Sequence, residues 1–439
     1  MAHRRAPLLR RARRRSGPVR RRAAVLAGRA TALLVHLVRP GGGTAIPGRV
    51  ALRLAPDLVG HVLRQPPLGV VVVSGSSGKS TTAALVRAIL ERHGLTVLAN
   101  RRTANIPHGI TAELLPQIDG AARTTADVAV VEVDEGYAGA VAADAAARVV
   151  VLLNVMIDQL HRWQEPELVA AYLRRAAEAA TGALVVNADD PLVAAIGRDR
   201  ELAGAVVRRF GLSAAVRAAL PHPPGSAPDF SGPAVETAAD AVVERVDGDR
   251  AEVRTERGRD VLRLPGRGAH VAVDAAAALE AAAAVLGERY DERLARTAID
   301  ASAAVFGREE TVTALGAEVE LVLTKSPATM QANLDLLDPR GVSTMVAVGR
   351  DIFDASQLWL ADWRPLEHVD LVSGWQAWDT ALRLAYDEVA VGRVDEDLDR
   401  AVVAHLTAPL PDGVRRRIVM TPESMRVIRR RLRLDRSAS

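Results

Sequence analysis

Short apolar runs recur along this chain, and each ends at a cluster of Gly, Asn or acidic residues. Val70 to Val73 lead into GSSGKSTT, and ADVAVVEVDE ends on Glu132, Asp134 and Glu135. ARVVVLLNVMIDQLHRW places Asn154 and Asp158 just past its apolar part, and GALVVNADDP ends on Asn187, Asp189 and Asp190. Stretches of helical period, such as Thr81 to Leu90, separate the runs. Strand, helix and strand in this repeated order predict an α/β fold on a mostly parallel sheet. From about Phe306 the pattern restarts: VELVLTK reads as a strand, TMQANLDLLD as a helix and STMVAVGRD as another strand. That predicts a second, Rossmann-like α/β domain. The expected division is a basic, partly apolar arm over 1–40, a first domain over 41–300 and a second over 301–439. Within the first, 208–263 is a variable insert of short polar and apolar strands around PHPPGSAPDFSGP.

The first strand end carries the most specific chemistry. A strand, a turn framed by Gly75 and Gly78, then Lys79 and Ser80, then a helix, follow in the order a phosphate cradle needs. Backbone N–H groups over Gly75, Ser76, Ser77 and Gly78 would point at phosphate oxygens, and the helix start at Thr81 adds its partial positive charge. Lys79 sets a compact ammonium against the β- and γ-phosphates, a task ill suited to the broader guanidinium. Ser80 can give its hydroxyl to Mg²⁺. Val73 stands where the longer common form of the loop has its outer glycine. The alternative is a Gly/Ser turn with an incidental lysine. Glu132, Asn154, Asp158, Asn187 and Asp190 lie at further strand ends, where open α/β sheets bind ligands. Each taken singly also reads as a strand-ending turn or a helix cap.

Composition narrows this picture. Of 57 Lys and Arg, only Lys79 and Lys325 are lysine, so the two lysines in loop motifs stand out. The chain is 49% hydrophobic and 25% charged, which fits packed cores, and has no cysteine. Disulfides, thiolate zinc sites and cysteine nucleophiles are therefore excluded, and no zinc is expected. Ten arginines crowd the start: Arg4, Arg5, Arg10, Arg11, Arg13, Arg14, Arg15, Arg20, Arg21 and Arg22. The apolar stretch Ala23 to Val38, interrupted by Arg29 and His36, is too short and broken for a transmembrane helix, and no small-residue cleavage site follows. The expectation is a cytoplasmic protein whose arm rests on anionic lipid, each basic residue adding about 1 kcal/mol near such a surface. A solvated tail or a nucleic-acid arm is the alternative, with nucleic acid not the expected partner.

GSSGKSTT, VEVDE, NVMIDQLHRW and NADDP, in this order and spacing, resemble the central ATPase domain of the Mur ligase family. Within the family the chain resembles the MurT branch, at GGGTAIPGRVALRL, NRRTANIPHGI, DQLHR, FGREE, LTKSPATMQANLDLL and SGWQAWDTALRLAY, from Gly41 to about Arg430. It departs from that pattern in several places. Ser76-Ser77 stand for Thr-Asn, Ser80 for Thr and His161 for Asp, and His270 and Asp274 lie in a helix where asparagines are usual. The four-cysteine zinc ribbon of many relatives is missing. So is any lysine between Lys79 and Lys325, which removes the carbamylated lysine used by amino-acid-adding relatives. With Met1 to Leu68 ahead of the loop, the domain with which those relatives hold a UDP-linked precursor is not expected here.

The resemblance implies an ATP- and Mg²⁺-dependent amide ligase. It would phosphorylate the D-Glu α-carboxylate of lipid II and pass the acyl-phosphate to ammonia from a GatD-like glutamine amidotransferase subunit, giving D-isoglutamine. Gly75 to Thr81, Asn154, Asp158, Asn187, Asp190, His270 and Asp274 would bind nucleotide, with Ser80 and Glu132 on Mg²⁺. Arg308 and Lys325 would stabilise the transferring charge across the cleft, with Phe306 to Glu310 as hinge, unless Lys325 is a surface residue paired with a carboxylate. One of Asp351, Asp354 and Asp362 would orient a histidine of the glutaminase, each also reading as a capped turn. Trp359, Trp363, Trp375 and Trp378 crowd one stretch of an aromatic-poor chain, which reads as an interface anchor or as core. Two rivals stay open: a paralogue acting on another carboxylate, and a weakly active scaffold that binds ATP and a glutaminase.

Overall fold

The computed structural model describes residues 16–38, 45–101, 104–156, 165–220, 239–303, 310–324, 327–352 and 354–434. Three helices come first: α1 (Pro18–Val38), α2 (Ile46–Leu54) and α3 (Leu58–Leu63). Alternating strands and helices follow: β1 (Val70–Ser74), α4 (Lys79–Arg92), β2 (Val97–Ala99), α5 (Pro107–Leu114), β3 (Val128–Glu132), α6 (Glu135–Ala145) and β4 (Val149–Leu152). They continue with α7 (Pro166–Glu178), β5 (Ala183–Asn187), α8 (Pro191–Leu202), β6 (Val206–Leu212) and α9 (Ala214–Ala219). Then come β7 (Ala241–Asp247), β8 (Arg250–Thr255), β9 (Gly258–Arg263), α10 (Ala269–Leu286) and α11 (Glu292–Asp300).

These strands form one nine-stranded sheet in the order β2-β3-β1-β4-β5-β6-β7-β8-β9. It is parallel from β2 to β7, and β8 and β9 continue it antiparallel. Within 208–263, β7, β8 and β9 finish the sheet as strands and α9 follows β6, while 221–238 lie outside the described residues. Both faces are covered, which explains why the central strands read as unbroken apolar runs rather than as alternations. Val71, Val73, Val130 and Val151 pack with α4, α10 and α11 on one face. Val70, Val72, Val131 and Val150 pack with α1–α3 and α5–α8 on the other. Helix α10 is almost wholly alanine, valine and leucine. Among the described residues it is the one helix long and apolar enough to span a membrane by composition, and it is buried in the core instead.

A second sheet, of six strands, contains β10 (Glu310–Ala314), β11 (Ala317–Leu323), β12 (Val342–Ala347), β13 (His368–Ser373), β14 (Ala390–Asp395) and β15 (Arg415–Met420). Its order is β10-β11-β15-β12-β13-β14, parallel except for the β10–β11 hairpin. It is flanked by α12 (Pro327–Leu334), α13 (Ala377–Tyr386), α14 (Leu398–Thr407) and α15 (Pro422–Leu432). The segment read as an arm is in part helix α1, whose Ala24 and Val25 are fully buried in the first domain's core.

Candidate functional site

Strand β1 lies between β3 and β4, and its register sets Val73 opposite Glu132 and Ser74 opposite Leu152. Three strand ends therefore finish side by side where the strand order reverses, the place where open α/β sheets hold ligands. The loop from Gly75 to Gly78 leaves β1 here and opens into α4. Gly78 caps that helix at φ +83°, a conformation L side chains rarely adopt, and a Cβ there would meet Asp274 Oδ1 at 2.1 Å. Helix α10 thereby brings the Asp274 carboxylate against the loop.

The side chains of Ser76, Lys79 and Ser80 are each held by a neighbour. Ser80 Oγ donates to Glu132 Oε2 at 2.7 Å, and Asn105 Nδ2 donates to Glu132 Oε1 at 3.2 Å. Asn100 fixes the same residue through its backbone, accepting from Glu132 N at 3.0 Å and donating to Glu132 O at 2.9 Å. Lys79 Nζ reaches Glu135 Oε1 at 3.1 Å and Ser76 O at 3.0 Å, and also contacts Gly75 O. Glu132, Asp134 and Glu135 are all buried, so this acidic strand end faces the loop rather than bulk solvent.

Asn154 braces the loop. Its Oδ1 accepts from Ser77 N at 2.8 Å and its backbone carbonyl from Ser76 N at 2.9 Å. Two of the N–H groups expected to face phosphate are thus used inside the protein. The donors that a helix start offers to an anion are those of its first turn, Lys79 to Thr81. Ser76 instead accepts with Oγ from Met156 N at 3.0 Å.

Asn187 and Asp190 do the bland work their alternative reading allowed. Asn187 Oδ1 accepts from Asp189 N at 2.9 Å. Asp190 is fully buried: Oδ1 caps α8 through Leu192 N and Val193 N, and Oδ2 accepts from Val155 N at 2.7 Å. Burial pushes its carboxyl up to about 6 against those three donors. Its reach toward a ligand is taken up by tying β4's exit to α8. His270 sits two residues into α10, beside Gly268. Asp158, His161, Arg308 and Lys325, and the Phe306 to Glu309 part of the hinge, lie outside the described residues.

In the second sheet's domain, Asp351 Oδ1 accepts from Thr421 Oγ1 at 2.7 Å and Oδ2 from Glu423 N at 3.1 Å, joining the β12 exit to α15. Asp362 pairs with Arg364 at 2.6 Å, and Asp354 is exposed. Of the four tryptophans grouped as a possible anchor, Trp363 is core. It is fully buried and donates from Nε1 to Leu358 O at 3.0 Å. Trp359, Trp375 and Trp378 are exposed, with Trp359 edge-on to Tyr386 at 4.8 Å and the Arg350 guanidinium over Trp375 at 4.2 Å. Trp378, Leu382 and Tyr386 recur every fourth residue along α13 and are all exposed, giving one apolar face.

The sequence marks NRRTANIPHGI only as a point of resemblance and gives its Asn100 and Asn105 no role. They lie beyond β2 in a segment with no apolar run to announce it, and only the topology, with β2 beside β3, shows that they hold Glu132.

Residues 73–282 match the model of the Mur ligase middle domain. The MurT subunit of lipid II isoglutaminyl synthase (glutamine-hydrolyzing) from Streptococcus pneumoniae is 27% identical over 377 residues, which is 79% of this chain and 81% of that one. The pseudomurein peptide ligase type C from Methanothermus fervidus superposes with a TM-score of 0.65 at 17% identity, over 87% of this chain and 81% of that one. MurF ligase from Thermotoga maritima, solved in complex with ADP, gives 0.62 at 17% identity, over 89% and 85%. At these identities the two structures speak for the fold alone.

Proposed function

We infer, from a chain that is built on a Mur ligase middle domain and resembles a MurT subunit over most of its length, that this Mur-type ATP-dependent ligase converts a carboxylate of a peptidoglycan precursor into an amide. The observation that carries the reading is the loop itself. Lys79 and the first turn of α4 stand at the end of β1, beside a Ser80–Glu132 pair that offers two hard oxygen donors. Mg²⁺ draws most of its ligands from phosphate and water and needs few from protein, so this donor set fits it. Ser80 and Glu132 would hold the ion, which would neutralise charge on the transferring phosphoryl group.

The chemistry balances simply. An oxygen of the acceptor carboxylate bonds to the γ-phosphorus as the bond to the bridging oxygen breaks and ADP leaves. The lone pair of ammonia then attacks the acyl carbon, phosphate departs with the carbon–oxygen bond pair, and one ammonia proton passes to it. The protein's part is to bind and orient: Lys79 and the α4 start on phosphate, Glu132 held in place by Asn100 and Asn105, Asn154 keeping the loop shut on itself. Arg308 and Lys325 are proposed to meet the transferring charge from the second domain.

The acceptor we propose is lipid II at its D-Glu α-carboxylate, reached at the inner face of the membrane, with ammonia from a GatD-like glutaminase seated on the second domain beside Asp351, Asp354 and Asp362. The exposed face of α13 with Trp359 and Trp375 supports that seat, since aromatic side chains anchor interfaces. A second reading, another carboxylate acceptor, is favoured by Asp274, an acid set against the loop where the resemblance expects asparagine. ADP release and amide formation measured on lipid II and on other carboxylates, with ammonium and without partner, separate the two. The chain alone should use high ammonium but not glutamine. Replacing the three aspartates singly by Asn should weaken glutamine-driven amidation at one position while sparing the ammonium-driven reaction. Glutamine hydrolysis by the isolated chain, or no effect at any of the three, would refute the partner as placed.

A further inference from the structure

Helix α1 is apolar on two sides. Its inner side is packed: Ala24, Val25 and Gly28 are buried, and a Cβ on Gly28 would meet Leu115 Cδ1 at 2.6 Å. Arg21 is pinned to Asp57 at 2.7 Å, and Arg29 donates to Leu115 O at 3.1 Å. At 3.6 residues per turn, Val19, Leu26, Leu33, Leu34 and Leu37 fall on the opposite side, and they are 61–79% exposed. The stripe they form is about 27 Å long at 1.5 Å per residue. Among the described residues nothing covers it, whereas soluble chains seldom leave so long a run of leucines in water.

Charge identifies the occupant. Residues 1–56 hold 14 of the 57 Lys and Arg and none of the 53 Asp and Glu, leaving 43 basic residues against 53 acidic ones beyond them. The whole positive excess of the chain thus lies in the sequence up to residue 56, which includes α1, while the remainder is net acidic. Arg20 and Arg22 are exposed beside the stripe, and Arg49 and Arg53 are exposed on the adjoining α2. We propose that the outer stripe of α1 lies in the boundary between headgroups and acyl chains of an anionic bilayer, with these arginines on lipid phosphates. A second copy of the chain would bring two such positive segments together, and nucleic acid would take the arginines while leaving the leucines in water. The inference rests on α1 and its charge, whatever acceptor the ligase uses.

The test is flotation of the full chain with phosphatidylcholine vesicles, with and without phosphatidylglycerol, at low and high salt. The chain should float with the anionic vesicles, and about tenfold less with the neutral ones or at high salt. The variant carrying Leu26→Glu, Leu33→Glu and Leu37→Glu should lose about tenfold or more of that binding while its ATP turnover and melting temperature stay as in the parent, because these side chains are exposed. Arg20→Gln with Arg22→Gln should lose part of it. Absence of binding to anionic vesicles would overturn the proposal. So would unchanged binding in the leucine variant, which would mean adsorption to any polyanion. A dimeric parent made monomeric by the leucine changes, with vesicle binding intact, would assign the stripe to a second copy.

Discussion

The loop at the end of β1 and the segment that follows β12 are both rich in polar and charged residues, but they spend them differently. At the loop, the acids and amides are buried, or half-buried for Asn105, and bonded to their neighbours: Ser80 to Glu132, Glu132 to Asn100 and Asn105, Lys79 to Glu135, Asn154 to Ser76 and Ser77. Around the second segment, Asp351 ties the β12 exit to α15, Asp362 pairs locally with Arg364, and three tryptophans with Leu382 and Tyr386 face outward. A site that must stabilise developing charge is built beforehand, so little has to move when charge appears. A surface that receives another protein leaves its apolar area uncovered until that protein arrives.

The tryptophans give the widest contrast. Trp363→Ala should cost about 3–5 kcal/mol, because the indole is fully enclosed and its N–H is bonded. Trp378→Ala should leave stability within about 0.5 kcal/mol of the parent, as exposed positions do. Denaturant unfolding of both variants checks this, and equal costs would erase the distinction between core and surface drawn here. Next comes Glu132→Gln, which keeps the shape but weakens a charged acceptor of Ser80. A loss of about a hundredfold or more in ATP turnover with an unchanged melting temperature is expected, and a fall in melting temperature without a fall in turnover would make Glu132 structural. Gly78→Ala should cost about 1–3 kcal/mol, from the left-handed backbone and the contact with Asp274. Adding Asp274→Ala should recover only the contact part of that cost, and full recovery would remove backbone strain from the explanation.

The smallest effect has opposite signs in the two domains. His405 in α14 is buried, and burial pushes its imidazole down to about 4. The unfolded chain then binds more protons than the folded one below the ordinary histidine value, so stability falls as pH falls. From pH 7 to pH 6 the second domain should lose about 0.7 kcal/mol. Asp190, raised to about 6, binds its proton in the folded state first, and the first domain should gain about 0.4 kcal/mol over the same interval. Hydrogen exchange resolved along the chain would show the two trends, and a common sign would contradict these burial effects.

The two regions also differ in how far the sequence revealed them. The loop was legible because a phosphate cradle needs glycine, lysine and a hydroxyl at fixed spacing, and apolar runs mark buried strands whatever their neighbours. Asn100 and Asn105 were not, because their use depends on which strand lies beside which. Asn187 and Asp190 show the reverse: polar residues at a strand end look the same whether they face a ligand or cap the next helix. The burial of Trp363 beside exposed Trp359 and Trp375 was hidden because that segment is irregular and has no period from which to read an inside and an outside.

The proposed nucleotide site is tested most directly by Lys79→Ala, measured for ATP binding by calorimetry and for ATP turnover, with the melting temperature as control. The Lys79 side chain is largely enclosed, and Glu135 and Ser76 O hold its ammonium against the loop. Turnover should therefore vanish while the fold stays intact, and Lys79→Arg should be severely impaired, because the guanidinium is too broad for the same place. Near-normal turnover in Lys79→Ala would contradict the assignment of this loop as the site that holds ATP.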